Sequence, residues 1–359
     1  MFCLAGAGFG FAKVAGHYPD SSVLQFLKFS TTHPQWSSQF QVLGFSLWDM
    51  IQPAFMFMVG VSMPYSYGKR EVLGDSYKFR LKHAWIRALI LVLLGVFLHS
   101  MRKPETNWLF TNVLSQIGLG YGFLFFLVSK SFRTHLLAGL SVLFGYFMLM
   151  AIFPTGLEGG IKAHFENGNS FPQKFDLWFL NLFPRPKPFP GHVYATLNFI
   201  PAFVTMLMGL VCGQLLQNDD FTEKQKLQRL FSGGLVCLVA GLTFGLICPI
   251  VKKLWTPSWT LFSGAYVIWL LAILYWVIDV KGWKKWTKFF VVVGVNSIAA
   301  YFMGVLMKNW TRGIFTTHLP QGFWEWTGHW RPFVESVLVV MFFWLALYWM
   351  YRNRVFVRV

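Results

Sequence analysis

Apolar runs long enough to cross a bilayer recur along the whole chain, and they restrict it to one kind of fold. A helix traversing the ~30 Å hydrocarbon layer needs about 20 residues. About ten such runs can be read, over residues 2–16, 45–66, 84–100, 111–129, 136–154, 197–216, 231–249, 259–279, 289–307 and 333–351. Backbone groups in lipid must be satisfied within the protein. The runs therefore predict an all-α, polytopic membrane helical bundle of about ten transmembrane helices, forming a single domain over residues 1–359. Only 13% of residues are charged and 55% are hydrophobic, whereas a soluble domain carries about 25% charge. The lipid bilayer is the first partner this composition implies.

The net charge of +17 would suit a nucleic-acid binder if Lys and Arg were clustered on one exposed face. Instead they stand in short clusters between apolar runs, so no nucleic acid is expected. Alternating the connections between two sides gives a short, basic set with about 17 cations in roughly 55 residues, against about 12 in roughly 110 for the other. Lys69, Arg70, Lys130, Lys224, Lys281, Arg352 and Arg354 belong to the basic set. The positive-inside rule places it, and the C-terminus, in the cytoplasm. The long loops 17–44 and 155–196 then face the periplasm or a lumen. The first run lacks a basic flank and is short for a span, which reads as a truncated start.

Ionisable and amide groups inside spans are costly, about 2.5–3.5 kcal/mol for a charge at a helix centre, so each retained one asks for a reason. Asp49 opens the second run in Trp48-Asp49-Met50-Ile51-Gln52-Pro53 and shares a helix face with Gln52. Capping explains a carboxylate there, because it accepts exposed N–H groups and complements the helix dipole. A cap can also orient a histidine, so the two roles overlap. Asn112 and Gln116 share a face of the fourth run, and Asn296 stands amid Val, Ile and Ala in the ninth. Such amides bridge helices or line aqueous cavities.

Cys3, Cys212, Cys237 and Cys248 form no C-x-x-C pair, and the nine histidines include no metal-site spacing, so no metal is expected. There is no P-loop, no G-x-S-x-G and no dinucleotide fingerprint. His33 differs in setting. It lies in Thr32-His33-Pro34-Gln35-Trp36, in the first long loop, and the chain must return from there to Asp49. A carboxylate holding one ring nitrogen leaves the other to move a proton near neutral pH.

The stretch from Leu47 to Pro64 resembles the second-span signature of bacterial relatives of heparan-alpha-glucosaminide N-acetyltransferase, in the transmembrane acyltransferase superfamily. Asn112-Val113-Leu114-Ser115-Gln116-Ile117-Gly118, Lys253-Leu254-Trp255-Thr256-Pro257-Ser258-Trp259 and Gly294-Val295-Asn296-Ser297-Ile298-Ala299-Ala300-Tyr301 are similar to further blocks of that family. The resemblance covers nearly the whole chain. It implies a multi-pass enzyme, in a bacterial inner membrane, that takes an acetyl group from cytoplasmic acetyl-CoA. The acceptor it implies is the amine of a terminal glucosamine, or a similar amino sugar or glycan, on the opposite side.

In the family a histidine within His-x-x-Trp of the first non-cytoplasmic loop is catalytic, and His33 and Trp36 match that motif. The family aspartate falls on Asp49. Arg80, Lys82 and Arg87 could draw the donor's phosphates, although cations there also satisfy topology. Asn112, Gln116 and Asn296 could bind the pantetheine amides or the developing oxyanion. Trp36 and Gln52 are expected on the acceptor, with the aromatic loop from Phe171 to Gly191 as a candidate groove. His33 would either deprotonate the amine or carry the acetyl group. The family also begins with a Leu-Asp-x-x-Arg-Gly segment, which the resemblance predicts upstream of Met1. A homodimer is one assembly it allows. A sugar or amino-sugar carrier without acyl transfer remains the alternative, suggested by helices that Gly and Pro interrupt, and an inactive scaffold is a third reading.

Overall fold

The computed structural model describes residues 7–33, 45–101, 103–153 and 160–357, apart from the side chains of Ala7 and Lys162. Its helices are α1 (Phe11–Gly16), α2 (Ser22–Ser30), α3 (Ile51–Val72), α4 (Tyr77–Ser100), α5 (Val113–Phe125) and α6 (Phe132–Ile152). There follow α7 (Phe171–Phe179), α8 (Phe199–Gln217), α9 (Glu223–Phe244), α10 (Pro257–Tyr275) and α11 (Lys288–Val295). The chain closes with α12 (Ser297–Phe302), α13 (Lys308–His318), α14 (Gln321–Thr327) and α15 (Arg331–Arg352). Among the described residues there is no strand, as the bilayer argument requires.

Among the described residues six helices are long and apolar enough to cross a membrane, or seven if one bent pair counts as a span. The sequence expectation of about ten is corrected on specific grounds. Residues 7–16 form a 3-10 turn at Ala7–Gly10 and the six-residue α1, far short of the first expected span. The fourth run yields only the 13 residues of α5, which Asn112 caps, because the chain turns from Phe126 onward. The second run becomes α3, whose 22 residues suffice in length. Gln52, Ser62, Pro64, Tyr65 and Ser66 dilute its apolar character. The ninth run breaks: Lys285–Val295 and Ser297–His318 are bent by 73° at Asn296, whose φ of -118° and ψ of 39° are not helical.

The chain divides into two compact units, residues 1–35, 44–51 and 282–359, and residues 36–43 and 52–281. In the second unit α8 is the most buried of the span-length helices, and glycines let its neighbours approach. A Cβ on Gly209 would collide with the Phe57 carbonyl of α3, and one on Gly60 with the Met206 carbonyl of α8. Membrane helices lack a hydrophobic drive to associate and depend on such close packing. Gly118 of α5 likewise lies against the Ala88 carbonyl of α4, and Gly241 of α9 against Phe262 of α10. The start of α10 is buried, and the Thr256 hydroxyl caps it by accepting from Trp259 N at 3.3 Å while donating to Pro249 O at 2.7 Å.

In the first unit Val292, Ala300, Val339, Phe343 and Leu347 form a core between α11, α12 and α15. The bend is fastened by Asn296, whose amide donates to Val355 O at 3.0 Å and accepts from Val357 N at 2.9 Å. The wholly buried amide therefore replaces helix hydrogen bonds lost at the break.

Candidate active site

His33 and Asp49 meet within the first unit. Helix α2 ends because Thr31 and Thr32 turn their hydroxyls back onto the carbonyls of Leu27 and Lys28, at 2.7 and 2.9 Å. These bonds satisfy carbonyls that a helix end leaves open, and His33 follows at once. Asp49 lies in the 3-10 turn Leu47–Met50, where Ser46 and Asp49 form a capping box. The Ser46 hydroxyl accepts from Asp49 N at 3.3 Å, while Asp49 Oδ2 accepts from Ser46 N at 3.3 Å and from Ser46 Oγ at 3.2 Å.

The other carboxylate oxygen, Oδ1, is 2.7 Å from His33 Nδ1. The Asp49 side chain is 3% exposed and the His33 side chain 38%, so the pair runs from a buried anchor to an accessible ring. A carboxylate oxygen accepts, which places the imidazole proton on Nδ1 and makes Nε2 the basic nitrogen. Trp48 meets the imidazole edge-on, with ring centroids 6.4 Å apart, and restricts its rotation. This arrangement can take a proton at Nε2 and stabilise the resulting imidazolium.

Trp36 lies outside the described residues, and Gln52 is half-buried in the first turn of α3. The three proposed donor cations, in the second unit, have unlike settings. Arg80 is buried and pairs with Glu71 through two contacts, Nη1 to Oε2 at 2.8 Å and Nη2 to Oε1 at 3.2 Å. Lys82 is exposed. Arg87 donates to Tyr121 Oη at 3.2 Å and lies over that ring at 4.9 Å. Tyr121 in turn donates to Tyr67 Oη at 3.3 Å. Nearby in sequence, Arg70 contacts His83 Nε2 at 2.9 Å.

The amides are largely engaged within the protein. Asn112 caps α5 by accepting from Leu114 N at 2.9 Å. Gln116 donates to Phe110 O and Thr196 O at 2.8 and 3.0 Å, while its buried Oε1 has no hydrogen-bond partner. Asn296 holds the C-terminal segment, as described. In the aromatic loop Phe179 and Phe183 pack against each other and against Phe110, and Arg185 donates to Trp108 O at 3.1 Å. The ring faces are thus partly spent on packing, although Trp178 is 61% exposed.

Three features lie beyond the sequence analysis above. The Ser46 cap does carry a signal, Ser-x-x-Asp before an apolar run, which is a capping pattern. Glu71 as the partner of Arg80 carries no local signal. Asp176 of α7 is 2% exposed and accepts from Thr196 N at 2.8 Å. Burial raises its pKa to about 6 against that opposing hydrogen bond. No group of three His, Cys, Asp or Glu among the described residues could hold a metal ion.

The family model described as heparan-alpha-glucosaminide N-acetyltransferase, catalytic, matches residues 22–244. The match includes His33, Asp49, Arg80, Arg87, Asn112 and Gln116 and leaves out Asn296. A curated mouse protein, heparan-alpha-glucosaminide N-acetyltransferase, is 27% identical over 174 residues, which is 46% of this chain. The matched stretch spans 25% of the mouse protein.

Proposed function

The chain belongs to the heparan-alpha-glucosaminide N-acetyltransferase catalytic family, whose model covers more than half of it, and we propose that it is a membrane-embedded acetyltransferase. It moves the acetyl group of acetyl-CoA to the amine of a terminal glucosamine or similar amino sugar. The observation that carries this reading is the 2.7 Å contact of His33 Nδ1 with the buried Asp49 carboxylate. Asp49 fixes the ring and its tautomer, and Nε2 removes the proton from the acceptor amine as its lone pair attacks the thioester carbonyl. The C–N bond forms, the C–S bond breaks, and the CoA thiolate leaves and takes up a proton. A brief acetyl-imidazole on the same nitrogen is the covalent variant.

Arg80, Lys82 and Arg87 supply positive charge for the donor's phosphates, and the short basic loops favour a cytoplasmic donor with the acceptor on the other side. Gln116, with its unpartnered buried oxygen, is the amide best suited to a pantetheine N–H. Trp36 and Gln52 remain the acceptor candidates, and the bacterial inner membrane the expected location. A carrier would use the helix break at Asn296 as a substrate site. That side chain is instead bound to Val355 and Val357, which favours transfer over carriage.

The test is transfer of radiolabelled acetyl from acetyl-CoA to glucosamine by membranes containing the protein. His33→Ala abolishes transfer at unchanged protein level. Activity retained by that variant removes the histidine from the mechanism, and labelled glucosamine accumulating unmodified in proteoliposomes without acetyl-CoA supports the carrier.

A further inference from the structure

The first unit contains an open cleft of about 740 Å³ whose lining includes Lys13, Lys308, Arg312, Gly313, Arg331 and Glu335. Every residue lining it lies outside the stretch matched by the family model. Four of these side chains are cationic and one is anionic. Glu335 is already held by Arg331, at 2.8 Å from Nε, and Lys13, Lys308 and Arg312 have no ion-pair partner among the described residues. Lys308 and Arg312 are four apart in α13, so they share a face and repel.

Helix α13 is the polar end of the bent pair, and cations gathered there beside an apolar segment mark a ligand or ion path. The cost of three unpaired cations converging on one cavity is offset when an anion occupies it. The volume falls in the ~300–1,000 Å³ range of sites for organic ligands and far exceeds what a bare inorganic ion fills. Arg offers a planar fork that matches the oxygens of phosphate-like groups.

We propose that this cleft binds an organic oxyanion, a phosphate or sulfate ester, through Lys13, Lys308 and Arg312. The ester comes either from an anionic lipid headgroup or from a soluble molecule. This inference is independent of the acetyltransferase reading, since no residue of the His33–Asp49 pair is used.

The probes are phosphatidylglycerol, added to the purified full chain in detergent, and sn-glycerol 3-phosphate, which carries the same ester without acyl chains. Binding is read by native mass spectrometry and by thermal shift, with phosphatidylcholine as the neutral lipid. Response to phosphatidylglycerol alone identifies a headgroup site, and response to both identifies a site for soluble esters. In either case the double variant Lys308→Gln, Arg312→Gln weakens binding about tenfold or more.

Gly313→Leu gives the same loss without altering any charge. A Cβ at Gly313 meets nothing within 4 Å, so the new side chain fills the cleft without disturbing the helix. Lys224→Gln, which removes an exposed cation from α9, leaves binding unchanged. The proposal is overturned if neither probe binds the native chain, if Gly313→Leu binds as the native chain does, or if Lys224→Gln loses as much as the double variant.

Discussion

Replacing Asp49 by Asn separates the proposed catalytic role of this carboxylate from its capping role. The Ser46 backbone N–H can only donate, and it points at Asp49 Oδ2. An asparagine must therefore keep its oxygen on that side, which turns its amide N–H toward His33 Nδ1. The imidazole then has to accept at Nδ1 and carry its proton on Nε2, the tautomer that cannot deprotonate an amine. A tautomer error of this kind costs about 10⁴ in rate in the serine-protease triad, and a positioned general base contributes about 10²–10⁴.

The expected loss for Asp49→Asn is thus about 10²–10⁴ in kcat, close to that of His33→Ala. The stability cost is modest, because an Asn oxygen can still accept from the Ser46 N–H as the third residue of the capping box. Exchanging a charged for a neutral acceptor costs about 1 kcal/mol, with a few tenths more from the helix dipole. The assay is labelled acetyl transfer to glucosamine, alongside melting of the detergent-purified variants. Since the pair acts as one unit, the double variant is no slower than His33→Ala alone. The reasoning fails if Asp49→Asn keeps activity within about threefold, or if the two losses multiply.

Arg87→Gln removes the cation over Tyr121 and is expected to raise KM for acetyl-CoA about tenfold while kcat stays within about threefold, the pattern of lost uniform binding; steady-state kinetics read the split. Gly60→Ala drives a methyl into the Met206 carbonyl and lowers stability by about 1–3 kcal/mol, whereas Gly145→Ala meets open space and leaves the melting temperature unchanged or slightly raised. Asp176 has a pKa raised to about 6, so its neutral form is favoured in the folded state. The contribution of Asp176 to stability is greatest below the ordinary carboxylate pKa and declines as pH rises through about 6, by up to ~3 kcal/mol. Asp176→Asn flattens that decline in thermal melts from pH 4 to pH 8, and a slope unchanged by the substitution would assign the effect elsewhere.

The fold class was legible because hydrophobic length is a strong signal, but the number of spans was not. Apolar runs do not report where a helix is interrupted. Asn296 breaks the ninth run through hydrogen bonds to Val355 and Val357, some 60 residues away in the chain, and no local pattern encodes that partnership. Asn112 and Gln116 stand out in the sequence as costly amides; Asn112 caps its own helix through Leu114, but the Thr196 carbonyl that Gln116 holds comes from a distant segment. The His33–Asp49 pair was legible for the opposite reason. Asp49 is fixed locally by Ser46, and the loop that carries His33 has to return to it.

This local fixing explains how a buried carboxylate is tolerated beside the histidine. Its Oδ2 accepts from both the backbone N–H and the hydroxyl of Ser46, bonds that any helix start of this type would form. Its Oδ1 meets the imidazole, so the cap bears part of the desolvation of the charge. Ser46→Ala tests that division. It deletes two of the hydrogen bonds around the carboxylate group but leaves the bond from Ser46 N, so Asp49 stays buried with a weaker anchor. The expected result is a cap-sized loss of about 1 kcal/mol in stability and a partial fall in kcat, smaller than that of Asp49→Asn, with KM for acetyl-CoA unchanged. A fall in kcat as large as that of Asp49→Asn would mean that Ser46 itself handles the proton, and the division of labour between the two oxygens would have to be abandoned.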